Sequence, residues 1–292
     1  MTTILVTGGN GQLASCIKDV EKEYDDLNII YTDHLELDIC ELNQIQTFFK
    51  SNPQIDYCIN CAAYTAVDKA ETEAEKAFEI NATGAKNLAQ VCNDHDAILI
   101  HVSTDFVFDG EKNEPYTETD AANPISVYGA SKLQGEVEIQ QALKEYFIIR
   151  TSWLYSEYGN NFMKTMLRLA ETRDGISVVS DQIGTPTYAG DLAEIIIQII
   201  NTKTEKYGIY HYSNEGVASW FEFAKEIFKL TKNKIKVNPI PSIEYLTPAK
   251  RPQFSVLDKA KIKTDIQIKI PFWRDSLKKV ILKENFNNFL YD

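Results

Sequence analysis

A tyrosine and a lysine four positions apart, in the run Tyr128-Gly129-Ala130-Ser131-Lys132, are the pair in this chain best suited to move a proton. The run follows Asn123-Pro124 and opens a helical pattern, and residues four apart on a helix share a face. A phenol that titrates near pH 10 is a poor acid–base group at neutral pH. A neighbouring ammonium and a positive nicotinamide ring both favour the phenolate and lower that value. Tyr128 so placed passes a proton to a carbonyl oxygen while hydride arrives from a cofactor, and Lys132 also reaches the cofactor ribose. Val102-Ser103-Thr104-Asp105 ends an apolar run, where Thr104 offers a hydroxyl to the same oxygen. A strand-end cap is the competing reading of Thr104.

A glycine loop supplies the cofactor side of this chemistry. Thr7-Gly8-Gly9-Asn10-Gly11-Gln12-Leu13-Ala14 joins a first strand to a first helix, with Gly8, Gly11 and Ala14 at three-residue spacing. Gly8 makes the tight turn, Gly11 lets a pyrophosphate approach the backbone, and the small Ala14 lets helix and strand pack closely. Amides at the helix N-terminus hold the phosphates. Asp33, 22 residues beyond Gly11, is placed to accept bonds from an adenosine ribose and to repel a 2′-phosphate. Its sequence neighbours Thr32, His34 and Glu36 include no Lys or Arg, which leans toward NADH over NADPH. Asp38-Ile39 either flanks the adenine or caps the next helix.

These residues need a sheet to bring them to one edge. Short apolar runs at Ile4–Val6, Leu27–Thr32, Ile55–Ala63, Ala97–Ser103 and Phe147–Leu154 read as strands. They alternate with helical patterns from Leu13 to Tyr24 and over Leu42–Lys50, Ala74–Asn93 and Val127–Leu143. Continuous apolar strands separated by helices predict an α/β fold of Rossmann type, a doubly wound parallel sheet covered on both faces. Beyond Trp153 the order loosens. Helices are expected at Asn161–Ala170, Leu192–Ile200, Trp220–Leu230 and Phe272–Lys283, and strands at Ile176–Val179 and Ile209–Tyr212. A Pro-spaced stretch runs through Pro239, Pro241, Pro248 and Pro252. The expected division is a dinucleotide-binding domain over 1–150, with 177–215 returning to it. A small, partly interleaved substrate lobe takes 151–176 and 216–292.

Composition narrows the function classes. The 292 residues carry a net charge of −12, the opposite of a nucleic-acid footprint. The longest aliphatic stretch, Ile195 to Ile200, is far short of a membrane span, and the N-terminus lacks the pattern of a signal peptide. Five cysteines, Cys16, Cys40, Cys58, Cys61 and Cys92, are odd in number and sit in the first third, which reads as structural thiols of a reduced cytoplasmic protein. Cys58 and Cys61 have metal-pair spacing but lack the second pair that zinc needs, so no metal is expected. Asn161 opens a helix whose N-terminus either binds a diphosphate or is simply capped. Lys250-Arg251 reads equally as a diphosphate clamp or a solvated pair. His101 reads as a packed core histidine, and Trp220, Phe221, Phe223 and Phe228 as one buried helix face.

Taken together, these motifs resemble the extended short-chain dehydrogenase/reductases, and within them the reductases of dTDP-linked 4-keto sugars. The resemblance rests on the glycine loop, Asn60 through Glu71, Asn81, Ser103-Thr104-Asp105, Tyr128 with Lys132, and Arg150-Thr151-Ser152-Trp153. Further matches are Gly159-Asn160-Asn161-Phe162, the segment from Asp181 to Thr187, and Arg251 through Asp258. It implies NAD(P)H-dependent reduction of dTDP-4-dehydro-β-L-rhamnose to dTDP-β-L-rhamnose, a step that serves polysaccharide synthesis. It implies Tyr128 as proton donor, Lys132 on the cofactor ribose and Thr104 on the substrate oxygen. Asn10, Gly11, Gln12, Leu13, Asp38, Ile39, Ala62, Ala63 and Thr65 then line the cofactor, and Asp105 and Trp153 touch the nucleotide sugar. The chain departs from the pattern at Phe106, usually Tyr, at Ala14 and Ser156, both commonly Gly, and in a C-terminus without paired glutamates. That last departure leaves the expected assembly as a monomer or a homodimer, with no metal between subunits. Two other readings share these residues: a reductase or epimerase of another 4-keto nucleotide sugar, such as one giving 6-deoxy-talose, and a non-catalytic NADP-binding regulatory subunit like that of methionine adenosyltransferase.

Overall fold

A computed structural model describes residues 1–52 and 54–283. In chain order its elements begin with β1 (Thr2–Thr7), α1 (Gln12–Val20), β2 (Leu27–Thr32), α2 (Leu42–Ser51) and β3 (Tyr57–Asn60). A short α3 (Val67–Ala70) leads to α4 (Ala74–Phe78), a π turn at Glu79–Thr83, and α5 (Gly84–Asp94). Next come β4 (Ile98–Thr104), α6 (Val127–Ala142), β5 (Tyr146–Thr151), β6 (Leu154–Tyr155), α7 (Phe162–Thr172) and β7 (Gly175–Val179). They are followed by β8 (Ile183–Gly184), β9 (Thr187–Tyr188), α8 (Ala189–Thr202), β10 (Gly208–His211), β11 (Ala218–Ser219) and α9 (Trp220–Leu230). The described chain closes with β12 (Lys236–Ile240), α10 (Ala260–Ile266) and α11 (Trp273–Ile281).

Six strands form one parallel sheet in the order β10-β5-β4-β3-β1-β2. The chain moves outward from β1 to β2 and then crosses to β3 on the other side, so the order reverses between β1 and β3. In such sheets the ligand crevice opens at the carboxyl ends beside that reversal. Alternate residues of each strand feed opposite faces. Ile4 and Val6 of β1 pack with α1, α8 and α10, whereas Leu5 packs with α2 and α5. A third core, built from α7, α9, α11 and β7, fills the small lobe around the buried Trp273 and Phe223.

The path differs from the sequence expectation in three places that bear on the site. The expected helix Ala74–Asn93 contains the π turn, and that wide turn turns the amide of Asn81 onto the backbone of Tyr64. The expected strand Phe147–Leu154 breaks at Ser152-Trp153, where Trp153 takes a left-handed φ of +48°. The interleaving is also finer than expected. Within 177–215, α8 packs on the main sheet and β10 joins it, but β7, β8 and β9 pair with β12, β11 and β6 outside it. Conversely Ile262 and Ile266 of α10, within 216–292, are buried against α8. β12 opens the Pro-spaced stretch and α10 follows it; Pro239 is accommodated because β12 pairs on one edge only.

Candidate active site

The carboxyl ends of the central strands open into a cleft of about 710 Å³, and a second hollow of about 570 Å³ shares Asn10, Gly11, Cys61 and Ala63 with it. The glycine loop stands between them. Gly8 has a φ of +66°, and a Cβ there would lie 2.7 Å from the Ala62 nitrogen, so only glycine fits. The Gly11 N–H closes the turn on the Gly8 carbonyl at 2.9 Å. Gly11 caps α1 without any side-chain bond, which leaves the first helical amides for an anion. This cradle fits a dinucleotide diphosphate.

The second hollow brings together Gly8, Asp33, Asp38, Ile39 and Ala62. The Asp33 carboxylate accepts bonds from the Asn10 amide and, at 2.9 Å, from the Leu35 N–H. Asp38 is tied in an Asx turn by the Cys40 N–H at 2.9 Å. Lys76 of α4 lines the same hollow, a base that the residues around Asp33 in sequence do not reveal. Gln12, Leu13 and Thr65 line the larger cleft instead, and Ala63 lines both.

Helix α6 delivers Tyr128 to that cleft. Ser126 caps it by accepting the Gly129 N–H at 3.1 Å, and Glu71 accepts the Val127 N–H at 2.9 Å. A Cβ on Gly129 would lie 2.2 Å from the Phe106 carbonyl oxygen, so the missing side chain is what lets α6 close on the end of β4. Thr104, Asp105, Phe106, Tyr128 and Lys132 thus line one wall. Thr104 is a strand-end cap that also lines the cleft. Its hydroxyl accepts the Phe106 N–H at 3.2 Å as a cap and also stands beside the Tyr128 hydroxyl in the cleft. Phe106, in the position where a second phenol is usual, meets the Tyr128 ring edge to face with centroids 5.6 Å apart.

The electrostatics depart from the sequence expectation. Burial pushes the Tyr128 phenol up to about 12, against a downward pull from Thr104. Lys132 does not offset this, because its amine turns to the back of the cleft. It donates to the Val102 carbonyl at 2.7 Å and meets His101 Nε2 at 3.1 Å. Burial lowers Lys132 to about 8. A neutral phenol is nevertheless the form that a proton donor needs. Asp105, 2% exposed, is raised by burial to about 6, and its Oδ2 has no hydrogen-bond partner.

Trp153 lines the cleft with its indole stacked on Trp220, centroids 3.6 Å apart and planes 9° apart. The sequence reading put Trp220 on a buried helix face. The structure corrects this: α9 starts at Trp220, directly after the capping box of Ser219 and Glu222, so its first side chain faces the cleft. Phe223 and Phe228, further along, are buried as expected. Asn161 acts as the cap of α7, accepting the Lys164 N–H at 3.1 Å while its amide donates to the Ser156 and Tyr158 carbonyls. Its neighbours Asn160 and Phe162 line the cleft and Asn161 itself does not. Arg251 lines the cleft, but its guanidinium is committed to Asp68, with bonds of 3.1 and 2.8 Å to the two carboxylate oxygens. Its charge is therefore already matched.

All five cysteines are free thiols. Among the described residues no group of three or more His, Cys, Asp or Glu side chains is placed to hold a metal, and no helix is long and apolar enough to cross a membrane. The C-terminal tail on which the metal expectation leaned lies outside the described residues.

Comparison with known proteins gives a consistent answer. Residues 1–286 match the family described as the RmlD substrate binding domain. The dTDP-4-dehydrorhamnose reductase of Aggregatibacter actinomycetemcomitans is 42% identical over 291 residues, covering 96% of this chain and 98% of that one. A dTDP-4-dehydrorhamnose reductase of Bacillus anthracis, solved in complex with NADP, is 42% identical with a TM-score of 0.92, covering 97% of this chain and 99% of that one. A dTDP-4-dehydrorhamnose reductase of Clostridium acetobutylicum superposes with a TM-score of 0.91 at 43% identity, covering 96% of this chain and 98% of that one.

Proposed function

This chain belongs to the dTDP-4-dehydrorhamnose reductase family, and from that premise we propose that it reduces dTDP-4-dehydro-β-L-rhamnose to dTDP-β-L-rhamnose with NADH or NADPH. The observation that carries the reading is the meeting of Thr104 and Tyr128 in a cleft that continues past the glycine loop. When bound there, the reduced nicotinamide supplies the hydride.

The residues of the chain then have distinct tasks. Gly8, Gly11 and the amides opening α1 would hold the diphosphate, with Asn10, Gln12 and Leu13 around it. Asp33 would bind the adenosine ribose, Asp38 and Ile39 the adenine, and Ala62, Ala63 and Thr65 the opposite wall. Asp33 disfavours a 2′-phosphate, but Lys76 in the same hollow offsets that repulsion, so a tenfold preference for either cofactor is not expected. Thr104 and Tyr128 would both bond the substrate's 4-keto oxygen, and Tyr128, as neutral phenol, would give it the proton. Lys132 would bind the nicotinamide ribose and stabilise the phenolate left behind. Asp105 would accept a sugar hydroxyl, and Trp153 with Trp220 would form the wall for the thymine. Asn161 and Arg251 would act on the substrate diphosphate only indirectly, Asn161 by shaping the loop that carries Asn160 and Arg251 by holding Asp68 of α3. The sheet would carry the cofactor and the small lobe the nucleotide sugar. A nucleotide-sugar substrate and free thiols fit a reducing cytoplasm.

The test is oxidation of NADH or NADPH by the purified protein with a panel of dTDP-4-keto sugars. Turnover is expected with dTDP-4-dehydro-β-L-rhamnose. Cofactor binding without oxidation against any member would instead indicate a binding protein.

A further inference from the structure

His101 is a buried ionisable side chain in contact with Lys132 that the proposed mechanism leaves idle. It sits on β4 at 1% exposure, between Lys132 and Asn60. Its ring nitrogens meet Lys132 Nζ at 3.1 Å and Asn60 Nδ2 at 3.0 Å. The Asn60 amide has its orientation fixed from the far side. Its Oδ1 accepts the backbone N–H of Ala62 at 3.1 Å and the Thr7 hydroxyl at 2.8 Å. Turning the amide over would set two donors against each other at Ala62. Asn60 therefore presents N–H to His101 Nδ1, which must accept. A neutral imidazole that accepts at Nδ1 carries its hydrogen on Nε2. That hydrogen points at Lys132 Nζ, and an ammonium has no lone pair to receive it. A neutral amine has one, and it retains two hydrogens, one for the Val102 carbonyl at 2.7 Å and one for the cleft.

We propose that His101 is a positioning residue that, at mildly alkaline pH, holds Lys132 as a neutral amine in the cofactor-free enzyme, and that cofactor binding there loads Lys132 with a proton as it leaves His101. The inference rests on the cofactor site proposed above. Negative charge entering a buried cleft favours the ammonium. The ammonium then stands ready for the phenolate that forms when Tyr128 gives up its proton. The other groups facing Lys132 agree with this. Glu136, one turn along α6, favours the ammonium but is itself bound by Arg150 at 2.6 Å. Cys61, from the segment after β3, is held as a thiol near 12, and Tyr128 as a phenol near 12. Asp105, beyond Tyr128, lies near 6 and is ionised well below the working range of Lys132. Burial keeps His101 neutral throughout and brings Lys132 to about 8.

The test is calorimetric titration of NADH, which carries no 2′-phosphate, into the full-length enzyme in buffers of differing ionisation enthalpy. At pH 8.5 wild type should take up about 0.8 proton per NADH bound, and at pH 6.5 less than about 0.1, for a group near 8 driven fully to its charged form. His101→Gln places a carboxamide where Nε2 stood and can turn its oxygen toward Lys132. It should bind NADH with uptake at pH 8.5 below about 0.2, because Lys132 is charged beforehand. Lys132→Met should show none. Binding heat with no difference between pH 6.5 and 8.5 in wild type would overturn the proposal without needing any variant. So would His101→Gln with wild-type uptake. Absence of any binding heat would instead count against the cofactor site itself.

Discussion

Replacing Gly8 and Gly11 separately should pull stability and cofactor affinity apart. At Gly8, alanine meets two penalties. A left-handed φ of +66° costs an L-residue about 1–2 kcal/mol. Its Cβ would also lie 2.7 Å from the Ala62 nitrogen and 2.8 Å from its Cα, backbone that cannot swing aside, and overpacking of this kind costs about 1–3 kcal/mol. The sum, about 2–5 kcal/mol, corresponds to a Tm lowered by roughly 4–10 °C in a chain of this size. Gly11 is different. Its φ of −76° and ψ of 164° suit any residue, and a Cβ would lie 3.1 Å from the Gly8 carbonyl in exposed space. Gly11→Ala should cost no more than about 1 kcal/mol as a weaker cap. The new methyl would stand where a diphosphate must approach, so the KM for NADH and NADPH should rise about tenfold or more. Differential scanning fluorimetry and initial-rate kinetics on both variants read the two effects. A Gly8→Ala protein melting within 2 °C of wild type, or a Gly11→Ala enzyme with unchanged cofactor KM, would refute the reasoning, with ~1 kcal/mol as the scale of either discrepancy.

Three further outcomes follow from the cleft. Tyr128→Phe keeps the ring against Phe106 and removes the proton, so kcat should fall by about 10²–10⁴ with cofactor affinity nearly unchanged, as single-turnover and binding measurements would show. Trp220→Ala strips the stacking partner from Trp153 and should raise KM for the dTDP-sugar, with cofactor KM unaffected; an unchanged sugar KM would remove the indole pair from the substrate wall. Asp105→Asn should alter stability in a pH-dependent way. Because the folded-state value of about 6 lies above the ordinary 3.8, ionised Asp105 destabilises the fold progressively as pH rises from about 4 to 6, by an amount on the order of 3 kcal/mol at full ionisation. The Tm of Asp105→Asn relative to wild type should therefore climb over that interval and stay level above pH 7. A constant difference would show that the carboxylate is not desolvated.

Much of this was legible in the residues, for identifiable reasons. Apolar strands such as Leu99–Ile100 and the glycine loop are local signals, and a parallel sheet places strand ends and loop at one edge whatever the side chains beyond them. The pair Tyr128 and Lys132 was visible because four residues span one helical turn. What stayed hidden depends on contacts between distant segments. The Asp68–Arg251 pair joins residues 183 apart, so the guanidinium's commitment has no local trace. Trp220 shares its apolar pattern with Phe223 and Phe228, and only the start of α9 separates the cleft residue from the core. His101 looked like core because it is core; its role lies in which atoms it faces, set by an asparagine 41 residues away. The lowered phenol expected from Lys132 failed because shared helical face fixes proximity and not where a flexible amine points.

The most direct measurement is the fate of a labelled hydride. Purified enzyme should be incubated with dTDP-4-dehydro-β-L-rhamnose and NADPH carrying deuterium at the transferable position, and the product analysed by NMR. Deuterium at C4 of the sugar, in a product with the configuration of dTDP-β-L-rhamnose and formed in step with NADPH oxidation, is the result expected. A product with the opposite C4 configuration, or one lacking the label, would contradict the reductase reading of this cleft.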